Sequence, residues 1–190
     1  MKTVLFVPGF QEDLKDRDYT SVLRAIESKG YKVQFVHIQW KRTTIDGWVK
    51  ELESVYKDYG TKETILAGFS YGAMTALVTA SNRNPAELWL FSLSPYFTED
   101  ISLLKLAWLR NIGKQRTEKF WRTSFNELYP KIDCPVKLFI GEKEIQKWPI
   151  MKHRFKDSAG KFKNCTPFEI PNVGHEVDHQ YYIRGIVKNI

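Results

Sequence analysis

Short apolar runs alternate with amphipathic stretches along this chain, and that alternation restricts its fold more than any other feature. The runs occupy residues 4–7, 33–38, 64–67, 88–93, 136–140 and 166–170. A run with little polar alternation fits a strand covered on both faces, and strands that alternate with helical patterns read as βα units of a parallel sheet. Between the runs lie the helical stripes. Tyr19, Val22, Leu23 and Ile26 make one apolar face; Ile45, Trp48, Val49, Leu52, Val55 and Tyr56 make a second; Tyr182, Ile183, Ile186 and Val187 make the last. Gly30 and Gly60 stand where such helices should end. The expected class is α/β: a three-layer α/β/α sandwich around a mostly parallel six-stranded sheet. With 190 residues, 43% of them hydrophobic, one well-buried core and a single domain spanning residues 1–190 are expected.

One connection is too long for a simple crossover. Residues 98–133 separate the fourth run from the fifth, and Ile101, Leu104, Trp108 and Ile112 fall on one helical face. Phe120, Trp121, Phe125 and Leu128 form a second, aromatic-rich cluster. The pattern predicts two helices laid over one edge of the sheet as a cap, with an ordinary surface helix pair as the alternative. Lys105, Arg110, Lys114, Arg116, Lys119, Arg122 and Lys131 face only Glu118 and Glu127 between residues 101 and 131. Apolar, aromatic and cationic side chains together suit an acyl chain joined to an anionic portion, so Trp108, Arg110 and Trp121 are the expected substrate contacts. A solvated basic surface is the plainer reading of the same residues.

Gly68-Phe69-Ser70-Tyr71-Gly72 lies between the third apolar run and an alanine-rich stretch with Ala73, Ala76 and Ala80 at helical spacing. A sharp strand-to-helix turn there would expose the Ser70 hydroxyl, and glycines two residues before and after the serine let strand and helix backbones approach closely. Gly141-Glu142-Lys143-Glu144 follows the fifth run, and Asn172-Val173-Gly174-His175 follows the sixth. Serine, carboxylate and histidine in that order, each after its own strand, resemble the α/β-hydrolase superfamily over nearly the whole chain.

The resemblance implies that Ser70 is a nucleophile, His175 its base and Glu144 the acid that orients the imidazole. Glutamate stands where the family usually has aspartate, so Glu142, Glu99 and Asp100 remain alternatives for the acid. Among the other histidines, His37 sits in a strand pattern, His153 on a basic helical stretch, and His179 at the start of the last helix. The backbone N–H of Tyr71 would be one oxyanion donor. Phe10, in Pro8-Gly9-Phe10-Gln11 after the first run, would supply the second, with Gln11 next. If the strands wind in the order 2-1-3-4-5-6, the loops after the first and third strands meet where the winding reverses, and ligands bind outside that crevice. The family's sheet usually has two further strands, so the resemblance implies a minimal version.

The expected activity is hydrolysis of a small carboxylic ester or thioester through an acyl-enzyme, without cofactor or metal. A non-catalytic binding protein of the same fold is the alternative. Ser70 at the elbow excludes the superfamily's aspartate and cysteine nucleophile chemistries. Neither a Walker A sequence nor GxGxxG is present, and the two cysteines, Cys134 and Cys165, lack metal-ligand spacing. The net charge of +7 permits a polyanionic partner, yet acids and bases interleave over most of the chain and no nucleic-acid motif accompanies them. No apolar stretch approaches a membrane span or a signal-peptide core, so a cytoplasmic location and a small-molecule partner are expected.

Overall fold

Alternation along the first strand divides the interior in two. In a computed structural model describing residues 1–190, β1 (Thr3–Val7) turns Val4 and Phe6 to one face of the sheet and Leu5 and Val7 to the other. The same division continues through β3 (Thr64–Phe69), β4 (Glu87–Phe91) and β5 (Val136–Gly141). Beside β1 lies β2 (Lys32–Phe35), and beside β5 lies β6 (Cys165–Ile170). All six strands are parallel, in the order β2-β1-β3-β4-β5-β6. The mostly parallel sheet expected from sequence is therefore wholly parallel.

Helices α1 (Tyr19–Glu27) and α9 (Gln180–Asn189) cover one face, burying Tyr19, Val22, Ile26, Tyr182 and Ile186 against Phe6, Phe91 and Phe139. The other face carries α2 (Ile45–Tyr56), α3 (Tyr71–Arg83) and α8 (Pro149–Lys161). Small residues let α3 lie close: Ala73, Ala76 and Ala80 are fully buried. Because every crossover returns a strand in the same direction, all carboxyl ends of the strands share one edge, where the loops that carry chemistry collect.

The second strand is shorter than its apolar run. It ends at Phe35, while Val36, Ile38 and Trp40 turn into the core from the loop beyond it. The long insert also departs from two helices. It comprises α4 (Leu106–Ile112), α5 (Lys114–Phe120) and α6 (Phe125–Leu128), with 3-10 turns at Ile101–Leu103 and Tyr129–Lys131. The apolar stripe from Ile101 to Ile112 spans a break at Leu104 and Lys105, whose extended backbone interrupts the helix. Gly113, at φ 89°, separates α4 from α5. Phe120 and Phe125 are buried as the aromatic cluster requires, but Trp121 is 54% exposed.

Asp100 and Arg154 anchor the insert to α8. The guanidinium donates to both carboxylate oxygens, Nε at 2.9 Å and Nη2 at 2.6 Å, and both side chains are buried. Two parallel bonds to one carboxylate fix orientation as well as distance.

Candidate active site

Ser70 sits between β3 and α3 at φ 56° and ψ −115°, a conformation that costs a non-glycine residue about 1–3 kcal/mol. Its N–H donates to Phe91 O at 2.9 Å, which ties the strained turn to the neighbouring strand. The flanking glycines are required by contact. A Cβ on Gly68 would meet the Gly72 carbonyl and Ala73 N, the latter at 2.7 Å; one on Gly72 would meet the carbonyls of Val7 and Pro8. The close approach anticipated at both positions is therefore present.

The hydroxyl that this turn presents has two partners. Ser70 Oγ lies 3.0 Å from His175 Nε2 and 3.0 Å from Ser94 Oγ. On the far side of the ring, His175 Nδ1 is 2.6 Å from Glu144 Oε2. A carboxylate facing Nδ1 holds the proton there, so Nε2 accepts the serine proton and Ser94 is left to donate to Ser70 Oγ. Phe69 packs on the imidazole with ring centroids 4.6 Å apart, and Trp148 stands edge-on at 6.3 Å. The imidazole is 28% exposed, whereas the Glu144 side chain is fully buried.

Glu144 is the third residue of α7 (Glu142–Lys147), which begins directly where β5 ends. Its Oε1 accepts Gly141 N at 2.9 Å and Ser92 Oγ at 2.5 Å. Tyr182 OH lies 2.9 Å from Ser92 Oγ. Burial, and then the nearby Glu144 charge, push the Tyr182 hydroxyl well above its ordinary value, so it stays protonated and donates to Ser92. A buried carboxylate needs partners for both oxygens, and Glu144 has them.

The other carboxylates considered for the acid are engaged elsewhere. Glu142 Oε2 accepts Asn172 N at 2.9 Å. Glu99 accepts Ser124 Oγ and the N–H groups of Phe125 and Asn126 at the start of α6. Asp100 belongs to the Arg154 pair. His37 instead faces Asp13 on the surface, 3.0 Å away, and His179 caps α9 by accepting Tyr181 N.

Opposite Ser70 lies the loop after β1. Phe10 N–H makes no hydrogen bond within the protein, and Tyr71 N–H, at the first position of α3, has no acceptor in its own helix. The loop is pinned beside them: Gly9 N donates to Tyr19 OH at 2.9 Å, and Tyr19 OH donates to Glu12. Phe10 itself packs against Tyr71, Trp40 and Trp48, with Arg116 over its ring at 4.9 Å.

A cavity of about 430 Å³ opens over Ser70 and His175. Phe10, Tyr71, Tyr96, Trp108, Ile112 and Trp148 supply most of its wall, with Asn111 and Ser94 as polar points. Trp108 is thus in the wall, but Arg110 and Trp121 are not: both are exposed on the outer side of the insert. Arg116 is spent on structure, donating to the carbonyls of Thr43 at 3.0 Å, Ile112 at 3.0 Å and Trp40 at 2.8 Å. The insert therefore brings aromatic surface to the cavity and keeps its cations outside. Sequence reasoning missed Ser92, Ser94 and Tyr182. Two serines two residues apart, Ser92 near the end of the fourth apolar run and Ser94 just after it, were the available signal.

No group of three or more His, Cys, Asp or Glu side chains is arranged to hold a metal ion. No helix is long and apolar enough to cross a membrane. Burial pushes the thiols of Cys134 and Cys165 up to about 11, which favours the protonated form of both.

By sequence, the chain matches no protein-family model and no curated protein. Its fold is shared with solved structures. Est1E from Butyrivibrio proteoclasticus, with ferulic acid bound, superposes at a TM-score of 0.79 and 13% identity, over 99% of this chain and 86% of that one. Alpha/beta hydrolase domain-containing protein 10 from mouse gives 0.78 at 14% identity, over 98% and 86%. A predicted CIB-like hydrolase from Thermoplasma acidophilum gives 0.68 at 13% identity, over 98% and 84%. The chain has the α/β-hydrolase fold.

Proposed function

We propose that this chain is a serine hydrolase that cleaves a small carboxylic ester or thioester through an acyl-enzyme. One observation carries the reading: Ser70 Oγ, His175 and Glu144 form a continuous hydrogen-bonded line, 3.0 and 2.6 Å at its two joints, at the floor of an aromatic cavity. Fold alone does not establish chemistry; this line of groups supports it.

In the first step Ser70 Oγ attacks the substrate carbonyl carbon while its proton passes to His175 Nε2. Glu144 stabilises the imidazolium and holds its Nδ1–H. The tetrahedral oxygen becomes negative and takes hydrogen bonds from the Phe10 and Tyr71 amides, whose N–H groups are free for it. The C–O or C–S bond then breaks, and the leaving alkoxide or thiolate receives the proton from Nε2. Water repeats the sequence on the acyl-serine, with His175 first as base and then as acid, and the carboxylic acid is released.

A cavity of about 430 Å³ walled by aromatic rings suits a short aliphatic or a single-ring acyl group. The test is labelling with a fluorophosphonate, together with hydrolysis of 4-nitrophenyl esters of graded acyl length. Wild type should label and turn over, and Ser70→Ala should lose labelling and about four to six orders of magnitude in kcat with its circular dichroism unchanged. A well-folded wild type that neither labels nor turns over would instead assign the cavity to a non-catalytic binding protein.

A further inference from the structure

Behind the imidazole lies a second cavity, of about 530 Å³, that shares only His175 and Trp148 with the first. Its wall is cationic. Arg17, Lys143 and Lys147 line it, and Glu176 is its one carboxylate. Lys143 and Lys147 stand four residues apart on α7, so both project from one face of the helix. Neither lysine is within ion-pairing distance of a carboxylate. Lys147 lies over the Trp148 ring at 4.8 Å. Arg17 is held in place through Nε and Nη1 by Glu12 and Asp178, and its Nη2 makes no hydrogen bond.

Like charges at this spacing destabilise a helix, and α7 is the helix that carries Glu144. An anion between the two ammonium groups would offset their repulsion on the element that holds the acid. Position selects which part of the substrate that anion belongs to. The oxyanion must face Phe10 and Tyr71 N–H, and the leaving atom must face His175 Nε2, which protonates it. His175 and Trp148 line both cavities, so a group attached to the leaving atom has the second cavity within reach across them. The acyl group keeps the aromatic one.

We propose that this basic cavity receives the leaving group of the substrate, and that the leaving group is an alcohol or thiol carrying a carboxylate or phosphate. The inference rests on the hydrolase reading above. The anion takes no part in bond making: the C–O or C–S bond breaks as before, the proton moves from Nε2 to the leaving atom, and Lys143 and Lys147 hold the charged end.

The experiment compares 4-nitrophenyl butanoate with 3-carboxy-4-nitrophenyl butanoate, two esters that share an acyl group and differ by one carboxylate. Lys143→Glu/Lys147→Glu should lower kcat/KM for the anionic ester by about tenfold or more, through KM, and change the neutral ester by less than about twofold. Lys29→Glu/Lys32→Glu makes the same change of charge at the opposite end of the sheet and should leave the ratio between the esters where it was. Equal effects on both esters, or the same shift from the distant pair, would overturn the subsite. Should the double variant melt below the assay temperature, Lys147→Gln is read in its place by the same ratio. Ser70-dependent turnover with an unchanged ratio removes the subsite alone; absence of Ser70-dependent turnover of either ester removes the hydrolase reading with it.

Discussion

Glu144→Asp draws the carboxylate back by one methylene, away from both the imidazole at 2.6 Å and the Ser92 hydroxyl at 2.5 Å. It should lower kcat about 10–100-fold, because the imidazole keeps a negative partner at longer range. Glu144→Gln should cost more, approaching about 10⁴-fold, since an amide facing Nδ1 favours the wrong tautomer. Steady-state kinetics on one 4-nitrophenyl ester ranks the two. Ser92→Ala leaves Glu144 Oε1 and Tyr182 OH each one bond short inside the core, a loss of about 1–3 kcal/mol of stability by urea titration. The place of Glu144 beside His175 was legible in Gly141-x-x-Glu144, the spacing that the resemblance to the α/β-hydrolase superfamily singles out. Ser92 was not: its φ is 50°, and its two buried partners, Glu144 and Tyr182, come from α7 and α9, neither of which a local reading connects to it.

The insert shows where element-scale reading fails. Ile101, Leu104, Trp108 and Ile112 keep helical spacing across a gap in which the chain is extended, so the stripe reports which residues face inward without reporting that the helix is broken. Strands were read more securely, because a fully buried parallel strand leaves an unbroken apolar run; run and strand part furthest at the edge, where β2 leaves the sheet at Phe35, three residues before its run ends, and β4 stops at Phe91, two residues before its own. Asp100 and Arg116 are two of the residues that hold the insert to the rest of the fold. Asp100→Asn would leave the buried Arg154 guanidinium with Asp157, 3.0 Å from Nη1, as its remaining carboxylate partner, and should cost about 1.5–3 kcal/mol in chemical denaturation. Arg116→Ala removes three bonds to carbonyls of the insert and the loop beyond β2. Its expected signature is a raised KM with little change in kcat for esters bound in the aromatic cavity.

On the scale of the whole molecule, the sheet is shared by two cores, and each contains a buried indole: Trp48 on the α2 side and Trp89 on the α1 side. We propose that the 190 residues unfold as one cooperative unit, since every central strand belongs to both cores. Tryptophan fluorescence and far-ultraviolet circular dichroism should then give coincident urea transitions. Two separated midpoints would mean that the halves part independently.

Gly141 leaves no room for even a methyl group between the end of β5 and the backbone of Val173 and Gly174, with Val173 O within 2.6 Å of where a Cβ would stand. The turn that launches Glu144 and the turn that launches His175 thus rest main chain on main chain. Substitutions of side chains around their rims should therefore leave carboxylate and imidazole paired, whereas a methyl group at Gly141 should part them.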